Sequence, residues 1–460
     1  MAAVAAARNG AKTLVIERHG FPGGSSTAAL VHPWLSFHNK RGEQVLAGLG
    51  QELVDRLTRV GGAVGHLRDS IGFTHSLTPF DPDLCKQEML QMLTESGAQV
   101  LLHTFIVGAE CDGEKITSIR VVNKSGEFEI RAPLFIDASG DADVAHHAAC
   151  AMQDKSEMQN RAPNQPQTQH RVLDVQENAS IAPPPIAPPP INTQPMTMYF
   201  RMSGVDWSPI RQYILDNPGE FHDETTFDDL RNGGALTGVS GYFSKWRAAA
   251  SQLNIPRDRL LFFAGIRGDE CYINTSRVTQ LDGANGFDLS AAEIEGRRQV
   301  RVLAEWFRAN IDGFQNAFIS TIPTQIGVRE SRRIVGDYIL TQDDVVGGAK
   351  FADCIARSAY PVDIHAPTGA GLITSEAPDD WYEIPFRALL PLGVSNLMVA
   401  GRCISATHEG HASTRLTPTC FAMGEAAGTA AALCAKLRLA PRALDTQTLQ
   451  KTLRDNGALV

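Results

Sequence analysis

Segments with a helical repeat of apolar residues alternate along this chain with short β-rich runs. Such alternation is typical of an α/β fold. At the N-terminus, the small residues at 2–8 predict a helix that ends at Asn9 and Gly10, and the run 12–16 predicts a strand. The same patterns predict helices at 42–60, 83–96, 291–310 and from about 418, and strands at 99–103, 105–110, 116–123, 127–131, 197–202, 261–263, 270–274 and 396–400.

Two predicted helices carry start signals. Ser290, followed three residues later by Glu293, matches a capping box for the helix at 291–310. Thr417 is the expected N-cap of the C-terminal helix, with Pro418 at the first helical position. The N–H groups at such a start favour a bound anion. A buried alanine-rich helix that needs no ligand is the alternative.

Residues 1–24 have the pattern of the second half of a dinucleotide-binding βαβ unit. Glu17 follows the predicted strand, where an acid accepts hydrogen bonds from ribose hydroxyls. The glycine-rich fingerprint that normally precedes this acid is missing from the sequence. An ordinary αβ pair with a solvated Glu17 is the alternative.

Two further turns follow apolar strands. The stretch 132–141, APLFIDASGD, leads into Ala138, Ser139 and Gly140, small residues that leave room for a nucleotide at a strand end. A plain tight turn explains the same residues. Near the C-terminus, the strand at 396–400 leads into a second such turn.

The order of four strings carries a family resemblance: ERHGFPGG, FIDASGD, PTQIGVRESRRIVGDYIL and NLMVAGRCISATHEGHASTRLTPTCFAMGEAAGTAA. On these, most of the chain resembles the FAD-dependent oxidoreductase family related to the flavoprotein subunit of heterodisulfide reductase. The resemblance implies an α/β fold with a Rossmann-like FAD-binding domain and a second, β-rich α+β substrate domain. It implies FAD-binding positions at Glu17, Arg18, Gly23, Gly24, Ser25, Val107, Ala138, Ser139, Gly140, Gly401, Arg402, Pro418 and Gly424.

The family pattern has a strand and a glycine-rich loop before the helix that opens this chain. We therefore expect the FAD-binding domain to be incomplete at the N-terminus, with in-frame codons upstream of Met1 encoding the missing part. A stop codon immediately before Met1 would count against this expectation.

The predicted domain organisation has four parts. Residues 1–150 form the first part of the FAD-binding domain, and 151–195 form an insertion or linker whose Pro- and Gln-rich composition cannot build a core. Residues 196–380 form the substrate domain, and 381–460 return to the FAD-binding domain.

Composition narrows the function classes. A formal net charge of −9 and no basic run argue against a nucleic-acid partner. Eight cysteines without a CxxC pair fit a reducing, cytoplasmic setting better than a disulfide framework, and they lack the usual spacing of iron–sulfur ligands. No apolar stretch is long enough for a membrane span, so no membrane association is expected.

Candidate chemistry concentrates between residues 323 and 415. Histidine suits proton transfer near neutral pH, and arginine suits anchoring of carboxylate or phosphate. The base candidates are His365, His408 and His411, with His408 preferred, and the anchor candidates are Arg329, Arg332 and Arg415. Alternatively, the RESRR string forms an internal salt-bridge network. His408 and His411 also have a helical spacing that metal ligands use, but a third ligand at suggestive spacing is missing, so no metal is expected.

The leading hypothesis is a FAD-dependent oxidoreductase that passes two electrons through flavin N5. The arginines favour a small anionic substrate, and the electron acceptor or donor is not identified. One alternative is a nucleotide-binding fragment without catalysis, because the pyrophosphate loop is missing. Another is a transferase that uses S-adenosylmethionine, since an acid after the second strand also suits its ribose.

Overall fold

A computed structural model describes residues 1–153, 193–223, 225–375 and 380–460. The predicted insertion at 151–195 falls almost entirely outside the described residues. The fold is mixed α/β. Its helices are α1 Ala2–Arg8, α2 Ser25–Ala28, α3 Leu49–Arg59, α4 Pro82–Glu95, α5 Asp143–His147, α6 Trp207–Asp216, α7 Phe227–Arg231, α8 Phe243–Leu253, α9 Gly286–Asn310, α10 Gln342–Val346, α11 His408–Thr414, α12 Thr417–Leu437 and α13 Thr446–Asp455.

The strands are short, and most belong to small sheets. They are β1 Leu14–Ile16, β2 Trp34–Leu35, β3 Leu67–Arg68, β4 Ser76–Thr78, β5 Gln99–Leu101, β6 Phe105–Asp112, β7 Lys115–Asn123, β8 Gly126–Ile130, β9 Phe135–Asp137, β10 Phe200–Ser203, β11 Gly238–Gly241, β12 Leu260–Ala264, β13 Cys271–Ile273, β14 Phe318–Thr321, β15 Cys354–Ser358, β16 Asp363–His365, β17 Leu372–Thr374, β18 Tyr382–Pro385 and β19 Leu397–Val399.

Two parallel strand pairs form the Rossmann-like part. Strand β1 pairs with β5, and β9 pairs with β19, so strands far apart in sequence lie side by side. Helix α1 packs along α12. Gly428 allows this contact because a Cβ there would collide with the Ala2 carbonyl oxygen. The predicted helix at 2–8, its end at Asn9 and the strand before Glu17 are confirmed.

The second, β-rich part is built on one antiparallel sheet of five strands, in the order β11-β12-β13-β10-β14. Helix α9 covers it and contributes Leu303 and Phe307 to a core that also contains Trp246 and Phe262. These four side chains are fully buried, and each such burial contributes roughly 1.5–3 kcal/mol to folding. The α/β class with a β-rich α+β second domain is therefore confirmed.

A third core lies at the C-terminal end of the chain. Strand β15 pairs with β18, and α12 and α13 pack against β15. Residues on either side of position 380 thus share this hydrophobic cluster. The predicted domain boundaries themselves stay a prediction.

The capping box predicted at Ser290 is wrong. Helix α9 begins earlier, at Gly286, because the Asn285 side chain accepts hydrogen bonds from the N–H groups of Phe287 and Asp288. The Ser290 hydroxyl lies inside the helix and donates to the Gly286 carbonyl, while Glu293 accepts from the Ile326 N–H. A local spacing rule missed a better cap upstream.

Two other predicted helix starts also differ. The helix predicted from 42 begins only at Leu49, whose N–H donates to the buried Glu425 carboxylate at 2.9 Å. A side chain at Gly48, which has φ +63°, would collide with that carboxylate. In α12, Thr417 is the first helical residue and not the N-cap, because the extended Leu416 precedes it without a side-chain cap.

Within the described residues, no helix is both long and apolar enough to cross a membrane.

Candidate cofactor and substrate site

One large cavity lies between the Rossmann-like strands and the five-stranded sheet. Its volume is about 1370 Å³. Pockets for ordinary small molecules measure roughly 300–1,000 Å³, so this one has room for a dinucleotide together with a substrate. We call its two sides the cofactor wall, made by the turns after β1, β9 and β19 and by the start of α12, and the arginine wall, made by Arg257, Arg329 and Arg415 with His365.

The turn after β1 forms the first part of the cofactor wall. Glu17 lines the cavity, and its carboxylate accepts a hydrogen bond from the His19 N–H at 2.9 Å. Arg18 also lines the cavity and donates to the Gln325 side chain at 3.1 Å. The carboxylate keeps further acceptor capacity, which is what a ribose diol requires.

Gly23 and Gly24 continue this turn into α2, which starts at Ser25. Gly23 has φ +120°, and a Cβ there would collide with the Thr27 side chain. Gly24 has φ +53° with nothing near its missing side chain, and it precedes the helix as N-cap. Backbone and small atoms therefore face the cavity at these positions, as the sequence predicts for a phosphate-bearing ligand.

The turn after β9 forms the second part. Asp137 fixes it by accepting the Ser139 N–H at 3.0 Å, and the Ser139 hydroxyl accepts the Asp143 N–H at 3.0 Å. Gly140 has φ +82°, and a Cβ there would lie 2.7 Å from an Arg402 guanidinium nitrogen. Glycine is therefore required both by the backbone angle and by the guanidinium stacked beside it.

Arg402 belongs to the turn after β19 and joins the two turns through Asp141. Its guanidinium donates to the Asp141 carboxylate at 3.0 Å, and the Ser331 hydroxyl donates to the same carboxylate at 2.6 Å. Burial alone would raise the pKa of Asp141, but Arg402 and the Ser331 hydroxyl outweigh it, and the pKa is lowered. Asp141 is thus an ionised, fully paired carboxylate that holds Arg402 against the turn.

The start of α12 closes the cofactor wall. Leu416 and Thr417 line the cavity beside Gly401, which has φ +90°. No side chain caps this helix, so its first N–H groups are free to bind a ligand. Such an N-terminus carries partial positive charge and favours an electron-rich group.

The two parallel strand pairs face each other across this cavity. Strands β1 and β9 both line it, and each has no strand partner on that edge among the described residues. Parallel strand edges present unpaired N–H and C=O groups. The expectation of a further strand encoded upstream stays a prediction.

The arginine wall comes from segments far apart in sequence. Arg257 donates to the His365 Nδ1 at 3.2 Å, Arg329 donates to the Pro195 carbonyl at 2.5 Å, and Arg415 donates to the Asp363 carboxylate at 3.3 Å. Asp363 also lies 3.6 Å from the His365 Nε2 and accepts the Tyr360 hydroxyl at 2.8 Å. One histidine and one carboxylate therefore lie among three guanidinium groups.

Burial sets the ionisation of these groups. It lowers the pKa of His365 well below its usual value, and Arg329 lowers it further, so His365 is neutral near neutral pH. Burial would raise the pKa of Asp363, but His365 and Arg415 outweigh it and the pKa falls below its usual range. Burial, then Arg415 and Arg257, lower the pKa of Arg329 to about 9.

Comparison with known families decides what the cavity holds. The sequence profile of the family described as FAD dependent oxidoreductase matches residues 1–453. The chain belongs to this family. FAD is the cofactor of this FAD dependent oxidoreductase, so the S-adenosylmethionine alternative is set aside. No curated protein matches the chain significantly.

Several solved structures resemble this family member along almost all of its chain. A geranylgeranyl bacteriochlorophyll reductase-like protein from Thermoplasma acidophilum is 13% identical, with 99% of this chain and 80% of that one covered and a TM-score of 0.46. A triple mutant of the flavin-dependent brominase Bmp2 is 12% identical, with 99% and 80% covered and a TM-score of 0.43. The myxobacterial chondrochloren halogenase CndH is 10% identical, with 98% and 74% covered and a TM-score of 0.42. At these low values, the family assignment depends on the profile match alone.

The residues of the cofactor wall fit FAD. The acid after β1 suits the ribose, while the glycine turns and the uncapped α12 start offer backbone N–H groups without side chains in the way. Of the predicted cofactor positions, those that line the cavity are Glu17, Arg18, Gly23, Gly24, Ser25, Ala138, Ser139, Gly140, Gly401 and Arg402.

Three predicted cofactor positions do not line the cavity. Val107 lies in β6, one residue beyond Ile106, the last residue of that strand that does line it. Pro418 follows the lining Thr417. Gly424 packs on the first residues of the chain, where its Cβ would lie 3.2 Å from the Met1 Cβ. In this structure its small size serves the contact between helices α1 and α12.

The predicted catalytic residues divide in the same way. Arg329, Arg415 and His365 line the cavity, whereas Arg332 and His408 do not. Arg332 pairs with Asp143, and the His408 Nδ1 lies 2.8 Å from the buried Glu330 carboxylate, which also pairs with Arg333. The alternative of an internal salt-bridge network for RESRR thus describes Glu330, Arg332 and Arg333.

Sequence reasoning missed several residues of the arginine wall. Arg257 is buried and precedes β12, Tyr199 precedes β10, and Asp363 begins β16. None belongs to a recognisable spacing, because each reaches the cavity from a different segment. The only available signal is that Arg257 lies three residues before the apolar run LLFFA at 260–264.

Proposed function

We propose that this protein oxidises a small anionic substrate that carries a hydroxyl or amino group. The C–H bond beside that group breaks, its hydride takes both electrons to the cofactor, and the O–H or N–H proton goes to His365. When bound, FAD supplies the hydride acceptor at its N5 atom. A second substrate, which accepts two electrons, must reoxidise the protein after each turnover.

His365 is the proposed proton acceptor because it is the candidate histidine that lines the cavity. Its Nε2 faces the ionised Asp363, and its Nδ1 faces Arg257. A neutral imidazole has one protonated and one free nitrogen, and a guanidinium can only donate. The Nε2 therefore carries the proton, and Nδ1 has the lone pair that accepts the substrate proton.

Arg257 links substrate binding to this proton transfer. It donates to Nδ1 in the ligand-free structure. An anionic group on the substrate is a stronger acceptor than neutral imidazole, so Arg257 moves its donor to the substrate and frees Nδ1. Asp363 then stabilises the imidazolium that forms, as a carboxylate does behind a catalytic histidine.

The single observation that supports this proposal is the shared cavity. The turns that fit FAD and the wall that holds His365 line one continuous space. Flavin oxidations need the donor carbon near the cofactor and a base on the accompanying proton, and both requirements are met only where these walls meet.

Reduction of the bound flavin tests the proposal. FAD-loaded protein is mixed without oxygen with hydroxy acids and amino acids, and bleaching of the band near about 450 nm is followed. We expect His365→Gln to keep the flavin spectrum but slow bleaching by roughly 10²–10⁴-fold. The comparison variant is His408→Gln. The His408 side chain contacts Glu330 and does not line the cavity, so the bleaching rate is expected to fall less in this variant. A larger loss in His408→Gln contradicts the assignment.

The finer relation to the heterodisulfide reductase flavoprotein and a cytoplasmic location remain part of this proposal. All eight cysteines are free. Burial raises the pKa of Cys150 and Cys354 to about 12, and it raises the pKa of Cys85 well above its usual value. Free, unreactive thiols suit a reducing compartment. Non-catalytic nucleotide binding is the outcome if flavin binds but no substrate of either class bleaches it.

A further inference from the structure

The arginine wall carries more positive charge than the protein neutralises. Arg257, Arg329 and Arg415 face the cavity, and of these only Arg415 contacts a carboxylate, that of Asp363. Arg257 donates to a neutral histidine, and Arg329 donates to a backbone carbonyl. The Nε atoms of Arg257 and Arg415 are buried without a hydrogen-bond partner. Among the described residues, two of the three positive charges, those of Arg257 and Arg329, therefore contact no carboxylate.

A fourth arginine adds to this excess from behind the wall. Arg277 is 1% exposed and donates only to the backbone carbonyls of Ala366, Ala370 and Gly371. It holds the loop that follows His365 but meets no carboxylate there. Its pKa is lowered to about 10, first by burial and then by the positive charge of Arg257. The positive charges of Arg277 and Arg257 therefore repel each other.

Arg259 shows what a compensated arginine looks like in the same cavity. It also lines the cavity, and it makes two hydrogen bonds to the neighbouring Asp258 carboxylate, at 3.0 and 2.7 Å. Asp258 is thereby already paired. Burying a charge without a partner costs free energy. The contrast with Arg259 therefore favours a ligand as the partner of the other arginines.

The phosphates of FAD would be held by a different set of residues. Arg18 and Arg402 belong to the cofactor wall, where both act on Asp141. The charges that act on Arg329 are those of Arg415, Arg257 and Arg277. Tyr199, Phe263 and Asn274 of the β-rich part line the same cavity as the arginine wall.

We propose that the arginine wall binds a substrate with two negative charges, either a dicarboxylate or a phosphate ester. This inference rests on the proposed function, because it names the charge class of the substrate oxidised there. Two charges match the two uncompensated guanidinium groups that face the cavity. A guanidinium fork binds either a carboxylate or a phosphate with paired hydrogen bonds.

Equilibrium binding to the FAD-loaded protein tests the charge class without turnover. Calorimetric titrations at about pH 8 and constant ionic strength compare succinate, inorganic phosphate, acetate and succinamide. We expect succinate, phosphate or both to bind at least about tenfold more tightly than acetate and succinamide. Whichever dianion binds more tightly identifies the dicarboxylate or the phosphate-ester class.

Matched variants locate the binding. Arg257→Met and Arg329→Met are each expected to weaken dianion binding by at least about tenfold, and Arg259→Met by less than about twofold. The visible flavin spectrum and circular dichroism of each variant report that it is folded. Equal losses in Arg257→Met and Arg259→Met overturn the inference, as does dianion binding no tighter than that of acetate.

The two proposals fail separately. If dianions bind at the arginine wall but no hydroxy or amino compound bleaches the flavin, the oxidation is wrong and the anion site stands. If an uncharged alcohol or amine bleaches the flavin as fast as any dianion does, the anion site is wrong and the oxidation stands.

Discussion

The cofactor wall and the arginine wall face each other across one cavity but are built differently. The cofactor wall is made of backbone turns and small residues, and its charged members, Arg402 and Asp141, neutralise each other. The arginine wall is made of long side chains, and within the part of the chain that the structure describes Arg257 and Arg329 contact no carboxylate. The cofactor wall offers its ligand mainly backbone groups, and the arginine wall offers positive charge.

This difference indicates which property each ligand must have. A wall of N–H groups and glycines selects by shape and by hydrogen bonding to a cofactor that every family member shares. A wall with excess positive charge selects by the charge of the substrate. The following predictions test this contrast between the two walls.

The largest effect is expected at Gly140 in the cofactor wall. In Gly140→Val, a β-branched residue must adopt φ +82° and collides with Arg402. Strain and overpacking of about 2 kcal/mol each predict a loss of about 4 kcal/mol in the free energy of unfolding. FAD affinity should fall as well, because the turn is displaced. Denaturant unfolding and flavin fluorescence titration measure both effects.

Gly393 provides the matched control for this prediction. It has φ +84°, lies outside the cavity, and has nothing within 4 Å of its missing side chain. Gly393→Val should therefore incur only the backbone strain, about 2 kcal/mol, and leave FAD affinity unchanged. If both variants weaken FAD binding equally, the close approach of Arg402 to the turn does not contribute to FAD binding.

The next effect concerns Glu425, a buried carboxylate behind the cofactor wall. Burial raises its pKa from 4.5 to about 7, and the Met1 amino group, Glu52 and Arg8 act on it more weakly. A raised pKa in the folded state stabilises the fold below about pH 4.5, and this contribution is lost as pH rises through about 7. The size is about 3 kcal/mol.

Glu425→Gln removes this titration. The free energy of unfolding of the variant, measured from about pH 4.5 to 8, should lack the decline seen in the unmodified protein, and the variant should be the more stable one at the upper end. Parallel pH curves for the two proteins would show that Glu425 ionises in the fold as it does in the unfolded chain.

A smaller effect, again a stabilisation by removal of a buried charge, is expected in the arginine wall. Arg257→Met replaces a buried, uncompensated charge by an apolar side chain, and should raise the free energy of unfolding of the ligand-free protein by about 2 kcal/mol. Arg259→Met breaks a pair with Asp258 and should lower it by about 1 kcal/mol or less. Thermal or denaturant unfolding measures both changes. A lower free energy of unfolding in both variants contradicts the contrast between Arg257 and Arg259.

The cofactor wall could be predicted from the sequence because its features are local. The helix at 2–8, the acid at Glu17 and the turn at Ala138–Gly140 each lie within a few residues, where propensity and turn chemistry apply. The prediction at Ser290 failed by a few residues because Asn285 caps the helix upstream. The prediction at Thr417 failed by one residue, since that helix begins directly after the extended Leu416 without a side-chain cap.

The arginine wall could be predicted only in part. Residue type alone indicates Arg329, Arg415 and His365. The family resemblance of the C-terminal turn favours His408, but its imidazole faces Glu330. Arg257 and Asp363 are 106 residues apart in the sequence and meet only through the tertiary fold. No local pattern encodes such a meeting.

The absorbance of the bound flavin during a titration with succinate or phosphate tests most directly whether the two walls share one site. We predict a saturable change in the band near about 450 nm, with the dissociation constant found by calorimetry. The change should disappear in Arg257→Met and persist in Arg259→Met. Anion binding that leaves the flavin spectrum unchanged would contradict the account.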